Sequence, residues 1–250
     1  MPKSILHYQQ ECFATYLDLV GLPKDYKYID GNPIRPLVPV ETARHSLMIV
    51  GAYPSARFES RGGRLLPVAD NLAPFHPELY FDGVRSRKQE SAHGLEKFIL
   101  RPLAVSRSRC WITDLVKVFL FKPEHLSNYN RQNHHPNFEP TRSDFSKYAA
   151  RSLTFLADEI QLAQPVLILT LGEEVARVVA NNFHLTAERL LNGVPYQITV
   201  VKQVCTVAHV AHPDACRRSS VWRSRTSKQM RSLRTFLKEK GIVTNSRYGT

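Results

Sequence analysis

The chain has 250 residues, 43% of them hydrophobic, which is enough to bury the core of one α/β domain. No apolar run approaches the ~20 residues that span a bilayer, and Met1–Gln10 has no apolar signal core, so the sequence predicts a soluble, cytoplasmic protein without a membrane partner. Lys and Arg number 34 against 22 Asp and Glu, and the resulting charge of +12 attracts polyanions such as DNA.

The predicted elements begin with a helix over residues 4–20 and a proline-rich loop over 30–40. Four apolar runs, each long enough for a buried strand, follow: Leu47–Val50, Cys110–Val116, Val166–Leu171 and Val204–Val210. The predicted helices are Gly94–Leu103, Asp144–Leu162 with Ser143 as candidate N-cap, Glu173–Asn181 and Ser227–Lys240. This alternation predicts a single doubly wound α/β domain over 1–250, with a four-stranded parallel sheet flanked by helices and residues 1–45 packed on it.

Basic residues are concentrated at the end of the chain. Between Arg217 and Arg247 there are ten Lys and Arg residues and a single acid, Glu239. A mixed solvated face carries both signs of charge, so this bias favours a flank that faces nucleic-acid phosphates. Composition alone leaves a merely basic, soluble protein as the alternative.

The four cysteines, Cys12, Cys110, Cys205 and Cys216, are far apart in the sequence. No pair has the close spacing of a metal-binding knuckle, and disulfides are not expected in a cytoplasmic protein. We therefore expect no metal and no cofactor.

Small, polar and turn-forming residues follow the apolar runs. Gly51–Ser55 comes after the first run, Asp114 and Lys117 close the second, Gly172 follows the third and His212 the fourth. Ligands of a doubly wound sheet bind beyond the carboxyl ends of its strands, so the sequence predicts a site there. Each of these residues taken alone also has an ordinary structural explanation, as a turn or a buried histidine.

Four of these motifs occur in a recognisable order. They are a Gly-x-x-Pro-small turn at Gly51–Ser55, a strand end at Ile112–Lys117, a Leu171-Gly172 turn into a helix, and a closing His212-Pro213. From about residue 46 to 240 this arrangement resembles the uracil-DNA glycosylase superfamily, in particular its bacterial and archaeal branches. The resemblance implies a DNA glycosylase that cuts the bond between a flipped-out base and its sugar, as a monomer acting on single-stranded or double-stranded DNA.

The resemblance also implies roles for individual residues. The base would be held by Gly51, Ala52, Tyr53, Pro54, Phe75 and Asp114. His212 would stabilise the negative charge that develops on the base O2. DNA contacts would come from Ser55, Lys117, Arg217, Arg218 and Ser219, and the segment 214–220 would press into the duplex where the base has left. For Tyr80 and Phe81 two roles stay open, stacking on the flipped base and packing in the core. For Arg85–Lys88 the two open roles are a DNA contact and a solvated loop.

The chain departs from this family at the first motif. Ala52 and Tyr53 stand where members that activate water place an acid or an amide. Another branch supplies an aspartate after a Gly-Arg pair, so Asp70, which follows Gly63-Arg64, is our candidate for orienting the attacking water. A helix or loop cap is the alternative role for Asp70. Branches with an iron–sulfur cluster use a close cysteine pair, whereas this chain has only Cys12 there, so we expect no cluster.

A second departure is Asp114, where the family commonly has asparagine. An amide accepts from uracil N3–H and donates to O4, whereas a carboxylate only accepts and suits the exocyclic amine of cytosine. One proton shared with cytosine N3 is then needed, and burial of Asp114 would supply it by raising its pKa. Removal of ordinary cytosine would damage the genome, so we expect a modified cytosine, as in base-excising defences against phages.

Three other functions stay open. The first is removal of uracil in base excision repair. The second is an inactive DNA-binding module of the same fold, which the missing acid at Ala52 and Tyr53 favours. The third is a different doubly wound enzyme acting on nucleosides or phosphoryl groups. The absence of Gly-x-x-x-x-Gly-Lys and Gly-x-Gly-x-x-Gly motifs counts against this third function.

Overall fold

The structure, a computed structural model, describes residues 4–243. Arg247, the last residue of the basic flank, lies outside the described residues. Within 4–243 the strands are β1 Leu47–Gly51, β2 Ala56–Arg61, β3 Arg64–Asp70, β4 Leu79–Phe81, β5 Ser86–Lys88, β6 Cys110–Asp114, β7 Leu167–Leu171, β8 Tyr196–Val200 and β9 Gln203–Val210. Among these residues no helix is both long enough and apolar enough to cross a membrane.

The first helix precedes these strands, and the others lie between and after them. They are α1 Ile5–Val20, α2 Glu90–Leu95, α3 Arg101–Leu103, α4 Pro123–Asn130, α5 Phe145–Ala163, α6 Glu173–Val179, α7 Ala187–Leu190, α8 Pro213–Arg218 and α9 Ser220–Glu239. A π-helical stretch, Glu96–Leu100, joins α2 to α3 into one continuous helical segment.

The central sheet has five strands in the order β6-β1-β7-β9-β8. The first four are parallel, as the apolar runs predict, and β8 pairs antiparallel with β9. The expected four-stranded sheet was therefore one strand short. The reason is that β8 is an edge strand: Tyr196, Gln197 and Thr199 are exposed, so it has no continuous apolar run.

Alternate residues of the inner strands pack on opposite faces of this sheet. In β1, Met48 and Val50 contact the cluster formed with α1 and α5, while Leu47 and Ile49 contact the cluster formed with α3 and α9. Both faces are covered, which explains why the inner strands carry apolar residues on both faces. Because the second parallel strand, β6, lies on one side of β1 and the later strands on the other, the strand order reverses beside β1, where a crevice opens.

The predicted helices are present; α6 begins at Glu173 as predicted, and the others have different starting points. α1 begins after Ser4, whose side chain accepts a hydrogen bond from the His7 N–H, and it ends at Gly21 with φ of 76°. The expected N-cap Ser143 is wrong: Asp144 precedes α5, and the Ser143 hydroxyl donates to the Pro140 carbonyl. The last helix begins at Ser220, seven residues earlier than expected, because Ser219 caps it.

Two antiparallel hairpins and three helices, α4, α7 and α8, were not expected from the sequence. β2 pairs with β3, β4 pairs with β5, and α4 contacts β3. The N-terminal segment packs on the domain as expected: the Tyr16 ring lies 4.8 Å from Phe155 of α5, and its hydroxyl lies 2.6 Å from Ser152 Oγ.

Candidate functional site

A cavity of about 620 Å³ opens beyond the carboxyl ends of β1, β6 and β9. This size is typical of small-ligand sites. Eight of the expected site residues line it: Ala52, Tyr53, Pro54, Ser55, Phe75, Asp114, His212 and Arg217. The sequence prediction that Tyr53, Asp114 and His212 converge on one cleft is therefore confirmed.

Gly51 lies directly beneath the cavity floor. A Cβ atom at this position would stand 2.1 Å from Asp114 Oδ1 and 2.5 Å from Phe75 Cε2. Only glycine leaves room for both side chains over the end of β1. The loop after it is tied to the neighbouring strand end, since the N–H groups of Leu115 and Val116 donate to the carbonyls of Gly51 and Ala52 at 2.8 and 2.9 Å.

Asp114 is the last residue of β6 and is only 1% exposed. Its Oδ1 atom has no hydrogen-bond partner among the described residues. Burial raises the pKa of Asp114 to about 7; Lys117 opposes this rise and Glu159 adds to it. Near neutral pH this carboxyl is therefore poised between its protonated and ionised forms, at the wall of a cavity.

His212 stands opposite, between β9 and α8. Its Nδ1 atom accepts a hydrogen bond of 3.1 Å from the Asp214 N–H, and so caps α8. Burial lowers the pKa of His212 below its ordinary value of 6.5. The imidazole is therefore neutral at pH 7, with its proton on Nε2, because Nδ1 is occupied as an acceptor.

Next to Tyr53 lie two side chains that the sequence did not predict as site residues, Arg142 and Glu174. The guanidinium of Arg142 lies 5.0 Å from the centroid of the Tyr53 ring and forms an ion pair with Glu174. Both residues line the cavity. Glu174 could have been found from its position just after Gly172, which follows the third apolar run. Arg142 gave no local signal, since only the fold brings it to Tyr53.

The wall opposite the sheet comes from α2 and was also missed. Gln89, Ser91, His93 and Lys97 line the cavity here. α2 passes close to α8 because residue 94 is glycine: a Cβ there would lie 2.8 Å from Pro213 Cβ.

The far end of the cavity is aromatic. Phe58, Phe119 and His125 line it, and the rings of Phe119 and His125 stack with centroids 5.4 Å apart. Burial lowers the pKa of His125 to about 4. His125 Nδ1 accepts from the Lys122 N–H at 3.2 Å, so this neutral ring also carries its proton on Nε2.

Lys117 was expected to contact DNA, but the structure places its side chain in the core. Its side chain is fully buried, and its Nζ lies 2.6 Å from Thr113 Oγ1, 2.7 Å from the Asp114 carbonyl oxygen and 2.8 Å from Glu159 Oε1. Lys117 curls back towards Thr113, whose side chain leaves β6 on the face opposite Asp114. A buried ammonium is tolerated there because Glu159 supplies the opposite charge.

Asp70 is also placed elsewhere, so its expected role in orienting water beside Asp114 and His212 is wrong. It accepts hydrogen bonds from the Tyr28 hydroxyl at 2.7 Å and the Arg35 N–H at 2.9 Å. It lines a second cavity with Asn71 and Leu72, away from the first. These two hydrogen bonds agree with the alternative role that the sequence left open for Asp70, a cap of a loop.

Two further expected DNA contacts lie outside the cavity. Ser219 is engaged in capping α9, since its Oγ accepts from the Trp222 N–H at 3.4 Å. The exposed guanidinium of Arg218 lies 2.7 Å from Asp214 Oδ2, and that of Arg217 lies 2.6 Å from Oδ1 of the same carboxylate. Arg217 reaches the cavity mouth, whereas Arg218 and Ser219 do not line it.

Comparison with models of known protein families finds no match, and comparison with curated proteins finds none either. Within residues 4–243, no group of three or more His, Cys, Asp or Glu side chains is arranged to hold a metal ion.

Proposed function

We propose that this protein is a DNA glycosylase of the uracil-DNA glycosylase superfamily that removes a cytosine-type base flipped into the cavity. The observation that carries the proposal is the Asp114 carboxyl, buried in the cavity wall with a free Oδ1 and with the neutral His212 imidazole in the same cavity. A buried polar atom without a partner is costly unless a ligand completes it.

Asp114 would read the base through a single proton. A protonated carboxyl has one donor and one acceptor, so it can accept from the cytosine exocyclic amine and donate to N3. With a pKa of about 7 that proton is available at neutral pH. Its transfer to N3 makes cytosine a better leaving group, because the departing base is then neutral.

His212 would act on the other side of the base. Its Nε2–H is the free donor of a neutral ring whose Nδ1 is already bonded to Asp214. The electron pair of the glycosidic bond passes into the base as that bond breaks, and donation to O2 stabilises the electron density that O2 gains. A preorganised donor of this kind contributes about 3 kcal/mol to the transition state. Phe75, 6.2 Å from the His212 ring, offers a face on which the flipped base can stack.

The size of the cavity, about 620 Å³, supports a modified cytosine as the proposed substrate. Beyond Asp114 the cavity continues to the aromatic end formed by Phe58, Phe119 and His125. This leaves space for a substituent on the base. Selection for such a substituent would also protect the cell's own cytosines, which is the requirement for a defence against phages with modified DNA. Uracil removal in repair is the alternative, since a protonated Asp114 can also donate to O4 and accept from N3–H.

The second candidate is a DNA-binding module of the same fold without activity. The specific observation in its favour is that the first-motif residues Ala52 and Tyr53 carry no carboxylate, while Asp70 is bonded to Tyr28 and Arg35. No group equivalent to the expected water-orienting acid then acts from these positions. The net charge of +12 suits both candidates.

The test is excision from oligonucleotides, single-stranded and double-stranded, that carry uracil, cytosine or 5-hydroxymethylcytosine, followed by hot alkali to reveal abasic sites. The wild type is expected to release the cytosine-type base faster as pH falls towards and below 7. Asp114→Asn cannot transfer a proton to N3, so this activity should drop at least tenfold. Uracil release by the same variant should lose its dependence on pH.

Asp70→Asn is the matched control, because Asp70 lies outside this cavity. It should leave base preference and pH profile unchanged. Equal preference for uracil in wild type and Asp114→Asn would show that Asp114 does not read the base. If the protein binds DNA but leaves no abasic site with any of the three bases, the inactive module is favoured.

A further inference from the structure

Three large apolar side chains on the β4–β5 hairpin stand in solvent. Leu79 is 78% exposed, Phe81 67% and Val84 69%. Leu79 pairs across the hairpin with Lys88, and Phe81 with Ser86. Since alternate residues of a strand share a face, Leu79 and Phe81 project from the same side of the hairpin, and Val84 lies in its turn. A contiguous exposed apolar patch of this kind marks an interaction surface.

This patch adjoins the mouth of the cavity. Lys88, the cross-strand neighbour of Leu79, lines the cavity together with Gln89 and Ser91, which follow it in the chain. A ligand that fills the cavity and extends out of it past Lys88 therefore meets the apolar face of the hairpin next.

The hairpin is held in place by Asp82. The buried Asp82 carboxylate accepts from the N–H groups of Val84 at 2.9 Å and Arg85 at 2.8 Å, and it pairs with Arg87. The Asp82 carbonyl in turn accepts from the Ser60 N–H of β2 at 2.6 Å. The exposed side chains are therefore presented by a braced turn, so that little conformational freedom is lost when they are buried in a partner.

The charges around the patch suit DNA. Arg85 and Lys88 are exposed on the hairpin, and neither forms an ion pair with a described residue. Apolar side chains flanked by phosphate-binding cations are typical of proteins that insert a wedge between base steps. An acidic or purely apolar partner surface would leave the proximity to a base-sized cavity unexplained.

The segment 214–220, expected from the sequence to press into the duplex, is poorly suited to it. It forms most of α8, where Cys216 is fully buried and bonded to Thr226. Arg217 and Arg218 are paired with Asp214. The nearest exposed apolar residue is Val221, 60% exposed, in the first turn of α9.

On the basis of the proposed function, we propose that Leu79 and Phe81 of the β4–β5 hairpin form the wedge that fills the gap left in duplex DNA by the flipped base. The hairpin thereby holds the duplex open while the base occupies the cavity. Single-stranded DNA has no such gap, so the wedge acts on duplex substrates alone.

The test measures binding of the full chain to a duplex with a tetrahydrofuran abasic analogue, to the intact duplex and to the single strand. The wild type is expected to prefer the abasic duplex. Leu79→Ala with Phe81→Ala should weaken binding to that duplex about tenfold, the scale of lost base–aromatic stacking, and leave single-strand binding unchanged. Phe81→Trp should restore most of the loss. Val221→Ala is the matched control on the other side of the mouth and should have no effect.

Three results would overturn the proposal. The first is equal binding of the abasic duplex by wild type and the double variant. The second is a larger loss of duplex binding with Val221→Ala than with the double variant. The third is loss of self-association in the double variant, which would make the hairpin a contact between copies. The assay needs no excision, so it is independent of the base panel. Failure to release any base would refute the glycosylase, while the abasic-duplex binding would still report on the wedge.

Discussion

Two buried carboxyls on opposite sides of β6 have opposite surroundings. Glu159 Oε1 receives hydrogen bonds from the Tyr8 hydroxyl at 2.6 Å and Thr113 Oγ1 at 3.1 Å, and it lies 2.8 Å from Lys117 Nζ. Asp114 Oδ1 receives none from the described residues, and Asp114 lines a cavity. The sheet separates them because consecutive residues, Thr113 and Asp114, point to opposite faces.

Under the proposed function, this strand end serves structure on one face of the sheet and recognition of the base on the other. Burial of Asp114, with no donor to its Oδ1 among the described residues, favours the protonated form of this carboxyl. Glu159 Oε1 and Lys117 Nζ pair with each other in the core, while Glu159 Oε2 has no hydrogen-bond partner among the described residues and does not line the cavity. Asp114 is left with an unmet hydrogen bond that a ligand can complete. The predictions below test each side of this contrast.

The largest expected effect is on the paired side. Glu159→Gln removes the charge that balances the buried Lys117, and it should lower the free energy of unfolding by about 3–5 kcal/mol. Glu124→Gln makes the same chemical change in an exposed pair with Lys122, 3.9 Å apart, and should cost less than about 1 kcal/mol. Urea unfolding of both variants measures the difference. Similar losses would mean that the Lys117 ammonium does not depend on Glu159.

On the cavity side, His212→Ala should slow base release by about 100-fold while binding to DNA stays close to wild type. Under the proposed function, His212 would donate a hydrogen bond to the departing base and would make no contact with the DNA backbone. His212→Gln keeps an N–H donor and should recover part of the rate. Single-turnover excision and a binding titration check the two quantities, and an unchanged rate in His212→Ala would remove this residue from the mechanism.

Asp114 should also leave a signature in stability against pH. Its folded pKa of about 7 lies above its ordinary value of 3.8, so between these values the folded protein holds a proton that the unfolded chain has lost. Its stabilising contribution is therefore complete below pH 4 and falls by about 1.4 kcal/mol per pH unit as pH rises towards 7. Asp114→Asn cannot titrate, so the difference in stability between wild type and variant should follow this slope. A difference independent of pH would place the Asp114 pKa near its ordinary value.

The smallest expected effect is at the basic surface. Arg217→Glu with Arg218→Glu should weaken DNA binding on every sequence and reduce the slope of log affinity against log salt by less than two. The reduction is limited because both guanidinium groups are already partly neutralised by Asp214. Titrations at several salt concentrations give the slope. An unchanged slope would mean that this part of the flank does not face phosphates.

Local patterns were sufficient for the layered fold and for much of the candidate site. The runs that became β1, β6, β7 and β9 are apolar on both faces, and only a covered parallel sheet buries both, so the class of fold followed from the sequence. Since carboxyl ends of parallel strands meet at one edge, Tyr53, Asp114 and His212 could be expected together.

Roles that depend on side-chain direction or on distant partners were decided by the tertiary structure alone. Lys117 and Asp114 are three residues apart, yet Lys117 turns into the core and Asp114 lines the cavity. The reason is that Glu159, the partner of Lys117, lies on only one face of the sheet. Asp70 has the expected spacing from Gly63-Arg64, but its carboxylate accepts hydrogen bonds from the Tyr28 hydroxyl and the Arg35 N–H. The sequence by itself determined which strand ends carry the polar residues; packing against α1, α2 and α5 decided which of those residues stay free to bind, since a hydrogen bond made inside the protein is one that a ligand can no longer use.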